Sequence, residues 1–165
     1  MQIEDPSALV CIMHYNRVKI IRRLIWLTGL LALLLVSLTA GAADYKFIDP
    51  ENFKIRLDTN EPTILVDIQK KNAYREHHFY GSIRTFAYPA KTELDTQSLV
   101  QAVRIYEQTQ NDVVIIGPRG GRACKRTYDF LVTRGIPGEK IYILTGGINH
   151  WPYKEMLLDI KGGCD

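Results

Sequence analysis

The sequence predicts an α/β domain with a mainly parallel β-sheet. Three short apolar runs have the length and the branched side chains of strands that are buried on both faces: Thr63–Asp67 (TILVD), 113–116 (VVII) and Ile141–Leu144 (IYIL). Segments with helical spacing separate these runs. Because strands and helices alternate along the chain, right-handed crossovers would place the strands side by side in parallel.

The first half of the predicted domain begins with a helix. Asp49 followed by Pro50 is a helix cap with proline at the first helical position, and apolar residues at helical spacing continue to Leu57. A turn then leads into the first apolar run. The polar stretch over residues 70–78 is compatible with a helix, and a second short extended segment is expected at residues 81–85.

The second half contains two longer helices. Asp95 or Thr96 is expected to cap the first, which ends before Asn111, and Gly135 closes the second. The apolar positions are Leu99, Val103 and Tyr106 in the first helix and Tyr128, Leu131 and Val132 in the second. Since parallel strands end at the same edge of a sheet, residues 67–69, 117–122 and 145–147 are expected to share one rim, where such sheets bind ligands.

The first 43 residues are predicted to be an export signal outside the fold. Residues 24–38 carry no charge, follow a basic segment and precede Ala40 and Ala42 in an A-x-A arrangement. An uncleaved membrane anchor is the alternative, because about 20 uncharged residues can span a bilayer. A buried core helix is the third interpretation of this N-terminal segment. Residues 44–165 are predicted to form one domain, periplasmic or, if anchored, facing the periplasm.

Charge and cysteine content restrict the partners. The chain has 21 basic and 18 acidic residues, and a cluster of the basic ones precedes the apolar N-terminal run, so bulk charge gives no support for a nucleic-acid partner. A membrane partner is expected only if the N-terminal segment is uncleaved. Cys11 lies in that segment. Cys124 and Cys164 remain in the domain and could form a disulfide in an oxidising compartment.

The strand 113–116 runs into a loop rich in glycine and arginine. The loop consists of Gly117, Pro118, Arg119, Gly120, Gly121 and Arg122. Glycine amides can turn toward a common centre, and the first N–H groups of the following helix lack partners, so the loop is predicted to bind an anion. Arg122 could pair with an oxyanion bidentately, with Arg119, Lys125 and Arg126 nearby. The alternative is a tight turn with a solvated basic face.

Four motifs in this order resemble the rhodanese-like family. They are LVD at 65–67, HFYGSI at 78–83, GPRGGRA at 117–123 and GGINHW at 146–151. The resemblance covers about residues 45–155 and implies a parallel five-stranded sheet with helices on both faces. It also implies a loop whose amides cradle a cysteine persulfide during sulfur transfer from thiosulfate, or a related donor, to a thiophilic acceptor. The six-residue loop has the length of the sulfur-handling members and not of the related phosphatases.

The sequence departs from that pattern at the nucleophile. The family's cysteine aligns with Gly117, which has no side chain to carry sulfur, so covalent relay at this position is impossible. Gln69 stands where the family usually has arginine, and Ser82 replaces an alanine.

Cys124 is the remaining thiol near the loop. It lies seven residues beyond Gly117, so we expect it about two helical turns from the centre of the loop. The helix dipole and the cations Arg122, Lys125 and Arg126 are expected to lower the pKa of its thiol. A packing thiol, a reactive or disulfide-bonded cysteine and a relocated sulfur carrier all remain open.

Other motif residues receive structural roles. Asp67 is expected to orient the loop through hydrogen bonds, His78 to be a structural residue, and Gly147 to support the site as part of the Gly-Gly motif. Trp151 is expected to anchor the core, with His150 at the surface. No cluster with metal-ligand spacing accompanies the histidines, so neither a metal nor a cofactor is expected.

Two main functions compete on this basis. The first is an exported, non-catalytic rhodanese-like module that binds a small anion (a sulfur oxyanion or a persulfide) or a protein partner through residues 117–122. The alternative is an active sulfurtransferase or thiol redox protein that uses Cys124. A third hypothesis treats Gly117 as a recent local change in an active lineage, since one base separates cysteine and glycine codons.

Overall fold

The computed structural model describes residues 44–160, and its main feature is a five-stranded parallel sheet. The strands are β1 (Phe47–Ile48), β2 (Thr63–Asp67), β4 (Ile83–Arg84), β5 (Asp112–Ile116) and β6 (Ile141–Leu144), in the order β1-β6-β5-β2-β4. Every neighbouring pair is parallel. A separate antiparallel pair joins β3 (His78–Phe79) to β7 (Leu157–Leu158). The predicted fold class is therefore confirmed, whereas β1, β3 and β7 were not predicted because two-residue strands leave no periodicity.

Five α-helices connect the strands within the described residues. They are α1 (Pro50–Asp58), α2 (Lys71–Glu76), α3 (Glu93–Gln97), α4 (Val100–Thr109) and α5 (Arg122–Thr133). The predicted cap of α1 is confirmed, because the Asp49 carboxylate accepts a hydrogen bond from the Asn52 amide at 2.8 Å. Gly135 follows α5 with a φ of 94°, a conformation that favours glycine.

The predicted start of the third helix was wrong. Thr92 caps α3, and the Asp95 side chain accepts from the Thr92 amide in a capping box, so Asp95 lies inside the helix it was expected to begin. Helix α3 ends at Gln97, and Leu99 is the N-terminal cap residue of α4, so two helices stand where one was predicted. The apolar positions expected to mark α5 all lie in it, with Tyr128 and Leu131 buried and 40% of Val132 exposed.

The sheet has a hydrophobic core on each face. Alternating side chains of each strand enter opposite cores: Ile64 and Val66 of β2 pack with α4 and α5, whereas Leu65 packs against α1. The second core is built around an aromatic cluster in which the Phe53, Phe79 and Trp151 rings lie edge to face at 5.0 to 5.5 Å. The predicted helices on both faces are thus present.

Several predictions concern residues outside the described range. The signal or anchor over residues 1–43, Cys11 and Cys164 all lie there, so the export signal and the boundaries of the domain stay predictions. The expected option of a Cys124–Cys164 disulfide is not borne out, because Cys124 is a free cysteine. In residues 44–160, no helix is long and apolar enough to cross a membrane.

Candidate functional site

The carboxyl ends of β2, β5 and β6 meet at one edge of the sheet. Asp67 at the end of β2 is in register with Ile116 at the end of β5, and the next amide, of Ile68, donates to the Ile116 carbonyl at 2.9 Å. Beyond β6, the Ile148 amide donates to the Gly117 carbonyl at 3.0 Å. The predicted shared rim is therefore present.

Two close backbone contacts hold the loop 117–122 against the turn that follows β6. Gly120 has a φ of 62°, and a Cβ built on it would lie 2.5 Å from the Leu144 carbonyl oxygen. Gly147 has a φ of 61°, and a Cβ there would collide with the Gly117 carbonyl oxygen and lie 2.6 Å from the Arg119 nitrogen. Only glycine fits at either position, so the shape of the loop depends on both.

The sulfur of Cys124 lies directly beside Gly117. A Cβ built on Gly117 would be 2.5 Å from the Cys124 Sγ and 3.4 Å from the Ile68 side chain. The predicted separation of about two helical turns was therefore wrong. It counted the intervening residues as helix, whereas α5 begins only at Arg122 and the loop curls around its first turn.

The expected low pKa of Cys124 was also wrong. The pKa of its thiol is raised to about 12, mainly by burial and secondly by the negative charge of Asp67. Backbone hydrogen bonds from Cys124, Gly120 and Gly117 to the sulfur act in the opposite direction without offsetting burial. Cys124 is a free thiol with 1% of its surface exposed. It is therefore a neutral, packed sulfur at neutral pH.

The Asp67 side chain forms hydrogen bonds with Gln69 and, among the described residues, none with the loop 117–122. Its carboxylate accepts from the Gln69 amide at 2.8 Å and from Gln69 Nε2 at 3.0 Å. Burial raises the pKa of Asp67 to about 6, and these hydrogen bonds lower it less than burial raises it. Gln69 Nε2 also donates to the His77 carbonyl at 2.9 Å. Asp67 thus orients the segment after β2, which corrects the expectation that it orients residues 117–122.

The structure places the other motif residues in structural positions. The His78 ring is buried and stacks on Tyr74 with 4.2 Å between ring centroids. Trp151 is buried in the aromatic cluster, and its indole nitrogen donates to the Tyr153 carbonyl at 2.8 Å, while His150 is exposed. Among the described residues, no group of three or more His, Cys, Asp or Glu side chains could hold a metal ion.

A pocket of about 570 Å³ opens above the loop. We call it the loop pocket; the loop 117–122, the segment 88–91 and the residues at the start of α2 border it. Five cationic side chains line it: Lys70, Lys91, Arg119, Arg122 and Arg126. Among the residues the structure describes, no Asp or Glu lines it.

The cations of the loop pocket differ in part from those expected. Lys125 is not among them, because its ammonium lies over the Tyr45 ring at 4.9 Å from the centroid. Arg126 is fixed in place by two hydrogen bonds to the Pro89 carbonyl, at 3.1 and 2.7 Å. Lys70 and Lys91 were missed. They are distant in sequence from the loop and carry no motif, so only the tertiary fold could reveal them.

Comparison with family models and solved structures agrees with this architecture. The family model described as "Rhodanese-like domain" matches residues 49–154, which is more than half of the chain. The chain belongs to the rhodanese-like domain family. Comparison with curated protein sequences gave no significant match.

Among solved structures, three similar ones illustrate the range of this family. A yeast protein tyrosine phosphatase of the rhodanese family is 16% identical with a TM-score of 0.54, covering 67% of this chain and 86% of its own. A rhodanese-like domain protein from Staphylococcus aureus is 18% identical with a TM-score of 0.52, covering 69% and 97%. A thiosulfate sulfurtransferase from Pseudomonas aeruginosa is 17% identical with a TM-score of 0.51, covering 70% of this chain and 19% of its own. At these identities the similarity shows the fold alone.

The close fit of Gly120 gives a test of the loop geometry. We expect Gly120→Ala to lower the free energy of unfolding by roughly 2–5 kcal/mol, because alanine is strained at positive φ and its Cβ meets a backbone oxygen. Gly121→Ala is the matched control, since a Cβ there meets nothing within 4 Å, and should cost at most about 1 kcal/mol. Urea denaturation of both variants measures the difference. Equal losses would contradict the described contact.

Proposed function

We propose that this protein is an exported, non-catalytic rhodanese-like module that binds a small anion, such as a sulfur oxyanion, in the loop pocket. The observation that carries the proposal is the pairing of Gly117 with Cys124. Position 117, where the motifs place the family's nucleophile, has no side chain, and the Cys124 sulfur takes up the adjacent space. The pocket keeps its positive charge, and the thiol among its described lining residues, Cys124, is buried.

The protonation state of Cys124 supports the proposed lack of sulfur-transfer activity. Sulfur transfer starts with attack by a thiolate. A thiol with a pKa of about 12 is ionised in roughly one molecule in ten thousand at pH 8. The charge of Asp67 contributes to this high pKa, because its carboxylate is mostly ionised at neutral pH, above its own pKa of about 6.

The first turn of α5 supports anion binding. Its cap residue, Gly121, offers no side-chain acceptor to the free N–H groups of the turn. Such groups at a helix N-terminus attract anions, and Arg119 and Arg122 border the same pocket. A sulfur oxyanion would therefore meet backbone donors and guanidinium groups together.

A second function, sulfur transfer by Cys124 itself, is favoured by one observation. The backbone groups of Gly117 and Gly120 direct hydrogen bonds to its sulfur, as the family's cradle would to a persulfide. In that reaction the Cys124 thiolate would attack the outer sulfur of thiosulfate, the sulfur–sulfur bond would break and sulfite would leave. The persulfide would then pass its outer sulfur to an acceptor such as cyanide. Burial of the thiol weighs against this function.

The contact between position 117 and Cys124 defines the decisive assay. We expect the natural protein to transfer no sulfur from thiosulfate to cyanide and to gain no sulfur in mass. Gly117→Cys alone should lose roughly 1–3 kcal/mol of stability through overpacking against the Cys124 sulfur. Gly117→Cys combined with Cys124→Ala removes the collision and should gain activity.

Two controls make that assay discriminating. Activity of the natural protein that disappears in Cys124→Ser would contradict the proposal and establish the second function. Equal stability of Gly117→Cys with and without Cys124→Ala would contradict the described contact, whatever the activities.

Export is proposed on the N-terminal sequence pattern. We expect the expressed protein in the periplasmic fraction, with a mass that lacks the residues up to about Ala42 or Ala43. Fractionation followed by mass spectrometry measures both. An intact chain in the membrane fraction would support the anchor instead, and an intact chain in the cytosol would exclude both.

A further inference from the structure

The loop pocket is much larger than a simple oxyanion requires. Its volume is about 570 Å³, within the range of roughly 300–1,000 Å³ that is typical of pockets for organic ligands. A five-atom oxyanion displaces only a handful of water molecules, each of about 30 Å³. Most of the pocket would stay filled with water around such an ion, so its size points to a larger ligand.

The positive charge lies on more than one wall of the pocket. Arg119 and Arg122 belong to the loop, whereas Lys70 precedes α2 and Lys91 precedes α3. Within residues 44–160, no carboxylate forms an ion pair with any of these four. A single acidic group on the loop would leave the two lysines without an anionic partner, and a second acidic group would supply one.

An apolar surface also lines the loop pocket. Tyr88 and Pro89 line the pocket, and 38% of Tyr88 is exposed. The Lys70 ammonium lies over the Tyr88 ring at 5.7 Å from its centroid, which keeps a charge beside the aromatic face. The two hydrogen bonds from Arg126 to the Pro89 carbonyl tie this wall to α5. The pocket therefore combines apolar and aromatic lining with its cations.

We propose that the loop pocket binds a small organic dianion, with one acidic group at Arg119 and Arg122, a second at Lys70 and Lys91, and an apolar body against Tyr88 and Pro89. This inference rests on the proposed anion-binding function and names its ligand class. Sulfonate, phosphate and carboxylate groups share the required chemistry. A concave pocket of about 570 Å³ favours a small molecule over an acidic protein segment, which would need a more extended surface.

Calorimetric titration with three matched probes at low ionic strength tests the inference. The probes are sulfate, a dianion without an organic body, benzenesulfonate, a ring with one acidic group, and meta-benzenedisulfonate, the same ring with two acidic groups. We expect the disulfonate to bind at least tenfold more tightly than benzenesulfonate. In the double variant Lys70→Gln/Lys91→Gln that advantage should fall below twofold, while sulfate affinity changes less than twofold.

The charge-matched control is Lys46→Gln/Lys54→Gln, which alters two lysines that do not line the pocket and should keep the tenfold advantage. Binding of sulfate with no gain for the disulfonate would overturn the inference and leave the proposed function intact. Binding of no probe would contradict both. A hexaglutamate peptide that binds more tightly than the disulfonate would overturn the inference in favour of an acidic protein partner.

Discussion

The site depends on mutual exclusion between the Cys124 sulfur and any side chain at position 117. The two positions face each other beneath the loop, and a Cβ at 117 would lie 2.5 Å from that sulfur. Glycine at 117 and cysteine at 124 therefore act as a compensating pair that keeps the space filled. If only the side chain at position 117 had been lost, a cavity would remain. The Cys124 sulfur occupies that space, which argues against the hypothesis that Gly117 is a recent local change.

The same backbone constraints that shape a sulfur-transfer loop also suit noncovalent binding. Gly120 and Gly147 allow the loop and the turn after β6 to touch backbone to backbone, which fixes the loop independently of any nucleophile. The cations around it are supplied by separate elements, so the proposed binding of an anion does not require a reactive group in the loop.

The sheet was predictable because its strands are short, branched and buried, as in Thr63–Asp67, and leave a strong local pattern. The site was only half predictable. The loop and its arginines could be found from motifs, but the contact between Gly117 and Cys124 could not, because sequence spacing does not describe how an irregular loop curls. The effect of the nearby cations on the pKa of Cys124 was predicted wrongly for a related reason. Cations near a thiol give a low pKa only where their effect exceeds the cost of burying the thiolate, and Cys124 is buried beside Asp67.

The proposed function requires the Cys124 thiol to be a neutral packing group. Titration of this thiol measures its protonation state directly. Thiolate absorbance in the ultraviolet, taken as the difference between the natural protein and Cys124→Ser, isolates this thiol from the other cysteines. With a pKa of about 12, no thiolate signal from Cys124 should appear as the pH rises to about 10. A titration centred at or below about pH 8.5, the ordinary value for a cysteine, would show an available thiolate and contradict the account.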